Sequence, residues 1–384
     1  MSVWRLIDLG KADPLVAQTF YEAVARAVDE RSSPNTLILV QPSSPYVCVG
    51  FHQEIMKEVN IEYCRSRNIP IIRRSQGGGT VYLDSNQIFY QLVASGESKI
   101  IPLSVERLFQ KLLGATVYVY RELGLPAQFK ASNDVVVDGR KISGNGAGKL
   151  GKNTTVLVGN IILDLDYNSM ASVLKVPSEK FRDKMTKSMK DWVTSLKREL
   201  GQVPPVEKIK ELIVEGYEQT LGVKLVPSET TKAEWKIWKN EVKPRHRSRE
   251  WLHAPDGVHE EHAIGRAIKI ADGVRVVETE HKAEKLIRVR AQLMGTRILD
   301  IKISGDFFMV PEEALMDLDS ALKDATLERE ELLGRIRSFY EEKQIQTPGI
   351  LPEDFGEAIL KLRNLAEGYG PVVYPCEPRE EEGS

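Results

Sequence analysis

The run Arg73-Arg74-Ser75-Gln76-Gly77-Gly78-Gly79-Thr80-Val81-Tyr82-Leu83-Asp84 concentrates the features needed to hold an anion. Each guanidinium is a permanent charge in a planar fork that suits phosphate or carboxylate. Three consecutive glycines strip the next turn of Cβ atoms, so its backbone can approach a ligand closely. Successive N–H groups in such a turn can converge on an anion. The glycines alone describe a surface turn beside solvated arginines equally well. The arginine pair and the strand-like flanks favour the anion site.

A second stretch carries Asn133-Asp134 and then Arg140-Lys141-Ile142-Ser143-Gly144. Between them, Val135-Val136-Val137 and Asp138-Gly139 read as a strand and a two-residue hairpin turn. Lys141 comes directly after the turn and precedes small residues, so its ammonium can point into a cleft. The plainer alternative is an exposed hairpin lysine.

Other patterns fail on inspection. Gly146-Ala147-Gly148-Lys149-Leu150-Gly151-Lys152-Asn153 nearly matches G-x-x-x-x-G-K-[ST], but Asn153 replaces the hydroxyl that would hold Mg²⁺. A strand comes next where a phosphate-binding loop needs a helix, so the segment is expected to be a Gly/Lys loop near a nucleotide. His259-Glu260-Glu261-His262 is one residue short of H-E-x-x-H, so its imidazoles would not share a helical face. No G-x-S-x-G elbow occurs, which removes support for a serine hydrolase.

The elements that must position these residues alternate. Asp13-Pro14 starts a helix, with Val16, Phe20, Val24 and Val28 as its buried stripe. Residues 36–41, 46–50 and 70–74 read as strands, and Asn60 caps a short helix through Arg67. Ser104 caps a longer helix whose Val105, Leu108, Phe109, Leu112, Leu113 and Val117 share one face. A strand is expected over 155–165, then helices near 170–176, 180–200 and 206–221. Residues 226–256, with the basic run Lys243 to Arg249, read as a solvated connecting region. Strands near 274–279, 286–293 and 298–303 and helices after Pro311, at 338–344 and at 357–365, make a second, smaller α+β unit. The acidic tail Glu380 to Glu382 reads as a solvated end.

Lys+Arg (53) and Asp+Glu (55) nearly balance, giving a net charge of -2, so the basic bias of a nucleic-acid binder is missing. Cys48, Cys64 and Cys376 are far apart and odd in number, which argues against a disulfide framework and for a reducing cytoplasm. No apolar run of signal or membrane-span length occurs. The expectation is a soluble cytoplasmic monomer.

RRSQGGGTVYLD followed by SNDVVVDGRKISG resembles the lipoate-protein ligase family, which shares its catalytic fold with biotin ligases. The order fits: arginine pair, triple glycine, Asn-Asp, then Lys-Ile-Ser-Gly. Further likeness lies in KFRDKMTKSMKDWVTSL from Lys180, in Glu250-Trp251-Leu252, and in Ile303 to Phe308, which resembles the family's small accessory domain. The resemblance implies a mixed α/β (α+β) chain: a biotin/lipoate ligase-like catalytic domain over 1–250, a linker over 251–270 and an accessory domain over 271–384.

It also implies a two-step reaction. The carboxylate of lipoate, or of octanoate, attacks the α-phosphate of ATP, and a carrier lysine then attacks the acyl-AMP. By resemblance, Lys141 bridges carboxylate and α-phosphate. Arg73 and Arg74, with Ser75 and Gln76, contact acyl and phosphate groups. Gly77, Gly78, Gly79, Thr80, Val81 and Tyr82 line the acyl tunnel and adenine site. Asn133 and Asp134 hold phosphate or Mg²⁺, with Asp134 as the metal contact, and Ser143 and Gly144 complete the binding set. The implied partner is a lipoyl carrier protein, such as a 2-oxoacid dehydrogenase subunit or a glycine-cleavage H protein. The accessory domain is needed for adenylation and moves between steps.

Two positions depart from the family pattern. Leu83 stands where His is usual, and Val156 to Asn160 lack a customary His. Carrier-to-carrier octanoyl or lipoyl transferases share the fold but use a cysteine. Cys48 reads as part of an apolar strand and Cys64 as helical, both away from the Asn133–Lys141 region. A non-catalytic lipoyl-domain binder is the remaining alternative. Biotin ligase is weaker, since no GRGRRGR-type loop is present.

Overall fold

The computed structural model describes residues 2–102, 104–130, 133–176, 178–254, 267–271 and 274–366. The His259–His262 near-motif, most of the expected linker, Cys376 and the acidic tail lie outside these residues.

The described chain divides into two units. The first comprises Met1–Val258 with Ser304–Leu315 and Lys343–Ile350. Its strands are β1 (Ser2–Ala12), β2 (Thr36–Pro42), β3 (Tyr46–Val49), β4 (Ile71–Arg73), β5 (Val81–Leu83), β6 (Gln87–Ser95), β7 (Gln128–Lys130), β8 (Asp134–Val137), β9 (Arg140–Leu150), β10 (Thr154–Ile162) and β11 (Val223–Pro227). Eight of them form one sheet in the order β11-β1-β2-β6-β10-β9-β8-β7, and β4-β3-β5 form a small sheet. β1 runs parallel to both of its neighbours, whereas β2, β6, β10 and β9 pair antiparallel.

Strand alternation decides what each face of the large sheet presents. On one face, Tyr90, Leu92, Ala147, Leu157 and Ile161 pack with Leu108, Phe109, Leu112 and Leu113 of the Val105–Glu122 helix. On the other, Phe89, Val93 and Val156 pack with Ala17, Phe20, Tyr21 and Val24 of the Pro14–Asp29 helix. Gly144, Gly146 and Gly148 recur at every second position of β9, on this second face, with Gly146 and Gly148 opposite Val158 and Val156. That part of the sheet is therefore floored by bare backbone.

Local signals hold where a side chain closes a turn or cap. Asp13 accepts from the Leu15 N–H at 2.9 Å, and Asn60 from Tyr63 at 3.1 Å. Asp138 and Gly139 adopt φ 48° and 78°, the two positive values of a tight hairpin turn. Four readings change. Ser104 precedes the Val105–Glu122 helix but makes no side-chain cap hydrogen bond. The expected Gly/Lys loop is strand β9 as far as Leu150, because its alternate glycines and its pairing with β10 suit a ladder. The 180–200 helix splits into Glu179–Trp192 and Leu196–Leu200, with Ser195 recapping the second piece. The supposed solvated stretch 226–256 is mostly helical: Lys232–Ile237, Trp238–Val242, Lys243–Arg247 and Arg249–Leu252.

The second unit comprises His259–Ile303, Met316–Glu342 and Leu351–Ser384. Its sheet has the order β12-β13-β14-β15, from Ala267–Ala271, Val274–Lys282, Leu286–Met294 and Arg297–Gly305. The Pro352–Ala366 helix packs on β13, where the Thr279 hydroxyl donates to the Ala358 carbonyl at 3.0 Å.

No helix among the described residues is long and apolar enough to cross a membrane.

Candidate active site

A cavity of about 330 Å³ opens over the glycine floor. Gly144, Gly146, Val158, Asn160, Phe89 and Gln91 lie beneath it, and the loop from Gly77 to Tyr82 forms one wall. Met170, Leu174, Met189 and Val193 line another part. Leu83 and Val158, at the two departures from the family pattern, both face this space.

Lys141 and Arg74 are the cations that line it among the described residues. Lys141 Nζ stands 2.7 Å from Asp134 Oδ1, and the two side chains are only 35% and 28% exposed. The hairpin turn places Lys141 at the start of β9, and its carbonyl accepts from the Thr194 N–H at 2.8 Å. A Cβ on Gly144 would lie 2.9 Å from Lys141 Cε, so a glycine there lets the lysine lie across the strand. Asn160 accepts from the Gly144 N–H at 2.9 Å and donates to Gln87 at 2.6 Å. Asn133 and Asn145 exchange side-chain to main-chain hydrogen bonds, which pins the entry to β8. Ser143 points to the opposite face, near Tyr90 and Asn145, and does not line the cavity.

The arginine pair divides its work. Arg74 lines the cavity while donating to the Gly77 and Gly79 carbonyls at 2.7 and 2.9 Å, which shapes the glycine loop. Gly78 has φ +88°, and a Cβ there would meet the Phe308 ring at 2.9 Å, so both conformation and space require glycine. Arg73 is fully buried, lines no part of the cavity, and donates to the carbonyls of Gly50, Phe51, Gln53 and Leu252. Ser75 donates to Glu22 at 2.7 Å, and Gln76 accepts from Tyr21. Both are buried behind the cavity wall. Thr80, Val81 and Tyr82 line the cavity, as do Asn133 and Gly144.

Sequence reasoning missed the clamp that fixes this loop. His246, from the supposedly solvated basic run, is buried, and its ring nitrogens meet the Arg73 carbonyl and Glu22, each at 2.9 Å. Arg245 also pairs with Glu22 and lies over the Trp251 ring, and Trp251 donates to the Arg73 carbonyl. The hint lay in the tryptophans interspersed with the charges: ring and stem need packing surface that a solvated linker lacks.

Burial alone would raise the Glu22 carboxyl, yet His246, Arg245 and Ser75 together hold it down at about 2. A lowered folded pKa means a stabilising contribution present in full above the unfolded value, about 4.3, and lost as pH falls toward 2. Glu22→Gln should therefore flatten the dependence of melting temperature on pH across that window. An unchanged slope would show that acid lability arises elsewhere.

Strand β3 also brings Cys48 to the wall of the cavity that Lys141 lines, which its position in the sequence does not suggest. Burial pushes the Cys48 thiol up, against the nearby Arg74, whose Nη1 is 3.5 Å from Sγ. A thiol held protonated is a poor nucleophile. Cys64 is buried on its helix and faces a separate cluster.

Known proteins are similar to this chain in two ways. An octanoyltransferase, LipM of Halalkalibacterium halodurans, is 27% identical over 275 residues, covering 65% of this chain and 99% of its own length. Lipoate-protein ligase 1 of Staphylococcus aureus is 27% identical over 318 residues, covering 81% and 86%. Among solved structures, P. falciparum LipL1 in complex with lipoate covers 93% of this chain and 99% of its own at a TM-score of 0.64 and 15% identity. A bipartite lipoate protein ligase of Thermoplasma acidophilum, solved in a study with its E2 lipoyl domain, covers 68% and 100% at 0.58 and 24%. The fold is thus biotin/lipoate ligase-like. The family profile described as "Lipoyl protein ligase A/B catalytic domain" matches residues 13–218, more than half of the sequence, and the chain belongs to that family.

Proposed function

We propose that this chain is an ATP-dependent ligase that adenylates lipoate or octanoate and passes the acyl group to a lysine of a lipoyl carrier protein. The observation that carries the reading is Lys141, a partly exposed ammonium held over the glycine floor of a mostly apolar cavity. Joining a carboxylate to an α-phosphate brings two anions together. At ~4 Å they repel by about 1 kcal/mol in water and several times more in a partly desolvated site. A cation between them offsets that repulsion and stabilises the charge that develops as the phosphorus–oxygen bond forms and pyrophosphate leaves. Arg74 and the Gly77–Thr80 loop lie on the same wall to orient phosphate. The carrier lysine then attacks the acyl carbon and AMP departs. Orientation supplies the rate, with no protein nucleophile.

For Mg²⁺, Asp134 is the carboxylate beside Lys141, and no cluster of three acid, His or Cys side chains occurs among the described residues. Mg²⁺ takes one or two carboxylates together with substrate phosphates, so this donor fits an ion that arrives with ATP. Bound there, the ion would neutralise phosphate charge.

The transferase reading rests on the octanoyltransferase relatives and on Cys48 in the cavity. The H. halodurans octanoyltransferase matches 65% of this chain, whereas the S. aureus ligase match extends to 81%. The extra reach, into a second unit, favours the ligase. The test is pyrophosphate release from ATP and Mg²⁺ with either acid and no carrier, with hydroxylamine to trap the adenylate. Acid-dependent release is expected. A folded sample that releases none, yet exchanges acyl groups between carriers, would establish the transferase. Cys48→Ala should keep its full rate of release and transfer, and loss of transfer alone would make Cys48 the nucleophile.

A further inference from the structure

The inner end of the cavity has a hydrogen-bond acceptor with no donor. Gln91 of β6 lies opposite Val158 of β10, which lies opposite Gly146 of β9, so the three form one row across the floor. Gln91 is 2% exposed and lines the cavity. Its Nε2 donates to the Ala17 carbonyl at 2.7 Å, which fixes the amide orientation, because the flipped amide would set two oxygens face to face. Its Oε1 is buried and has no donor. Gln76 sits at the other end of the row, with its Cβ 3.5 Å from where a Gly146 Cβ would stand. Tyr21 donates to its Oε1 at 2.7 Å, and Gln76 lines no part of the cavity, so Gln91 is the amide of this row that a bound tail meets.

The distance from this row to the ammonium is set by the strand. Lys141 lies over Gly144, two residues along β9 from Gly146, a step of roughly 7 Å. About five extended carbon–carbon bonds of ~1.5 Å span such a gap. An acid whose carboxylate meets Lys141 therefore brings roughly its sixth carbon to the Gln91 row.

The three candidate tails differ there. A hydrocarbon tail leaves the buried Gln91 oxygen unsatisfied, which is costly. The sulfurs of a closed dithiolane only accept, and offer Gln91 no hydrogen. A thiol both donates and accepts. We propose that this cavity selects the reduced, dithiol form of lipoate over the ring-closed form and over octanoate, with Gln91 Oε1 taking an S–H hydrogen. The inference rests on the ligase reading above.

The test uses the full chain and initial rates of pyrophosphate release with three acids: octanoate, lipoate, and lipoate reduced by a phosphine. Octanoate is run with and without the phosphine as a control. The reduced acid should show kcat/KM roughly tenfold above both octanoate and closed lipoate, the scale of one buried hydrogen bond. Gln91→Leu should bring the acids close to parity by raising octanoate and lowering the dithiol. Gln91→Met provides the same readout with a flexible side chain should the leucine fold poorly. Release with all three acids at equal kcat/KM, or with octanoate best, would overturn this inference and leave the ligase standing. Release with none would overturn both.

Discussion

Lys141→Met should lower acid-dependent pyrophosphate release by about a thousandfold, the upper range for removing one preorganised donor from a developing oxyanion, while the protein stays folded. The two halves of this expectation have separate physical origins. Lys141 and Asp134 are both about one-third exposed, and a pair of that kind contributes roughly 0–1 kcal/mol to stability. The melting temperature should therefore barely move. In the reaction the same ammonium faces two anions at once, where no solvent rearrangement can replace it. The loss should appear mainly in kcat, because the charge that Lys141 meets is greatest as the new bond to phosphorus forms. Single-turnover release by the variant, beside its thermal denaturation curve, checks both. Adenylation at the normal rate in a folded Lys141→Met protein would remove the residue from the mechanism and leave the ligase assignment without its central cation.

Legibility in the sequence tracks physical range. The Asp138-Gly139 turn, the Asn60 cap and the apolar stripe of the Val105–Glu122 helix are decided within a few residues, and the structure has them where the pattern places them. Lys141 is legible as well, because a hairpin turn fixes the position of the residues beside it. Contacts between distant segments are not legible. The basic run at Lys243 to Arg249 has the composition of a solvated strap, yet His246 is buried against Glu22, more than two hundred residues earlier, and Arg245 pairs with the same carboxylate. Cys48 reads as an apolar strand residue, and only the pairing of β3 between β4 and β5 sets it on the cavity wall. The glycine alternation in Gly144, Gly146 and Gly148 is visible in the sequence but reads there as a loop. Its meaning as a floor appears once β10 fixes the register, since a shift of one residue would turn every glycine to the opposite face.

The arginine pair gives the sharpest case of two like residues with unlike fates, and a substitution at each should separate them. Arg73→Met should cost about 4 kcal/mol or more, at the exceptional end for a single change, and should lower the melting temperature by roughly 10 °C. The guanidinium is fully buried, and its donors reach the carbonyls of Gly50, Phe51, Gln53 and Leu252. Methionine fills much of the volume but satisfies none of those oxygens, and each one left buried costs about 1–3 kcal/mol if water cannot reach it. The damage should spread to the Arg73 carbonyl, where His246 and Trp251 both attach. Arg74→Met should behave differently. Arg74 lines the cavity and braces the Gly77 and Gly79 carbonyls, so its loss should raise KM for ATP more than it lowers stability. Thermal denaturation and steady-state kinetics on the two variants form the comparison. If Arg73→Met melted like the parent chain and only KM rose, Arg73 would be a ligand contact, and its four carbonyl bonds would have to be exchanged for substrate on binding.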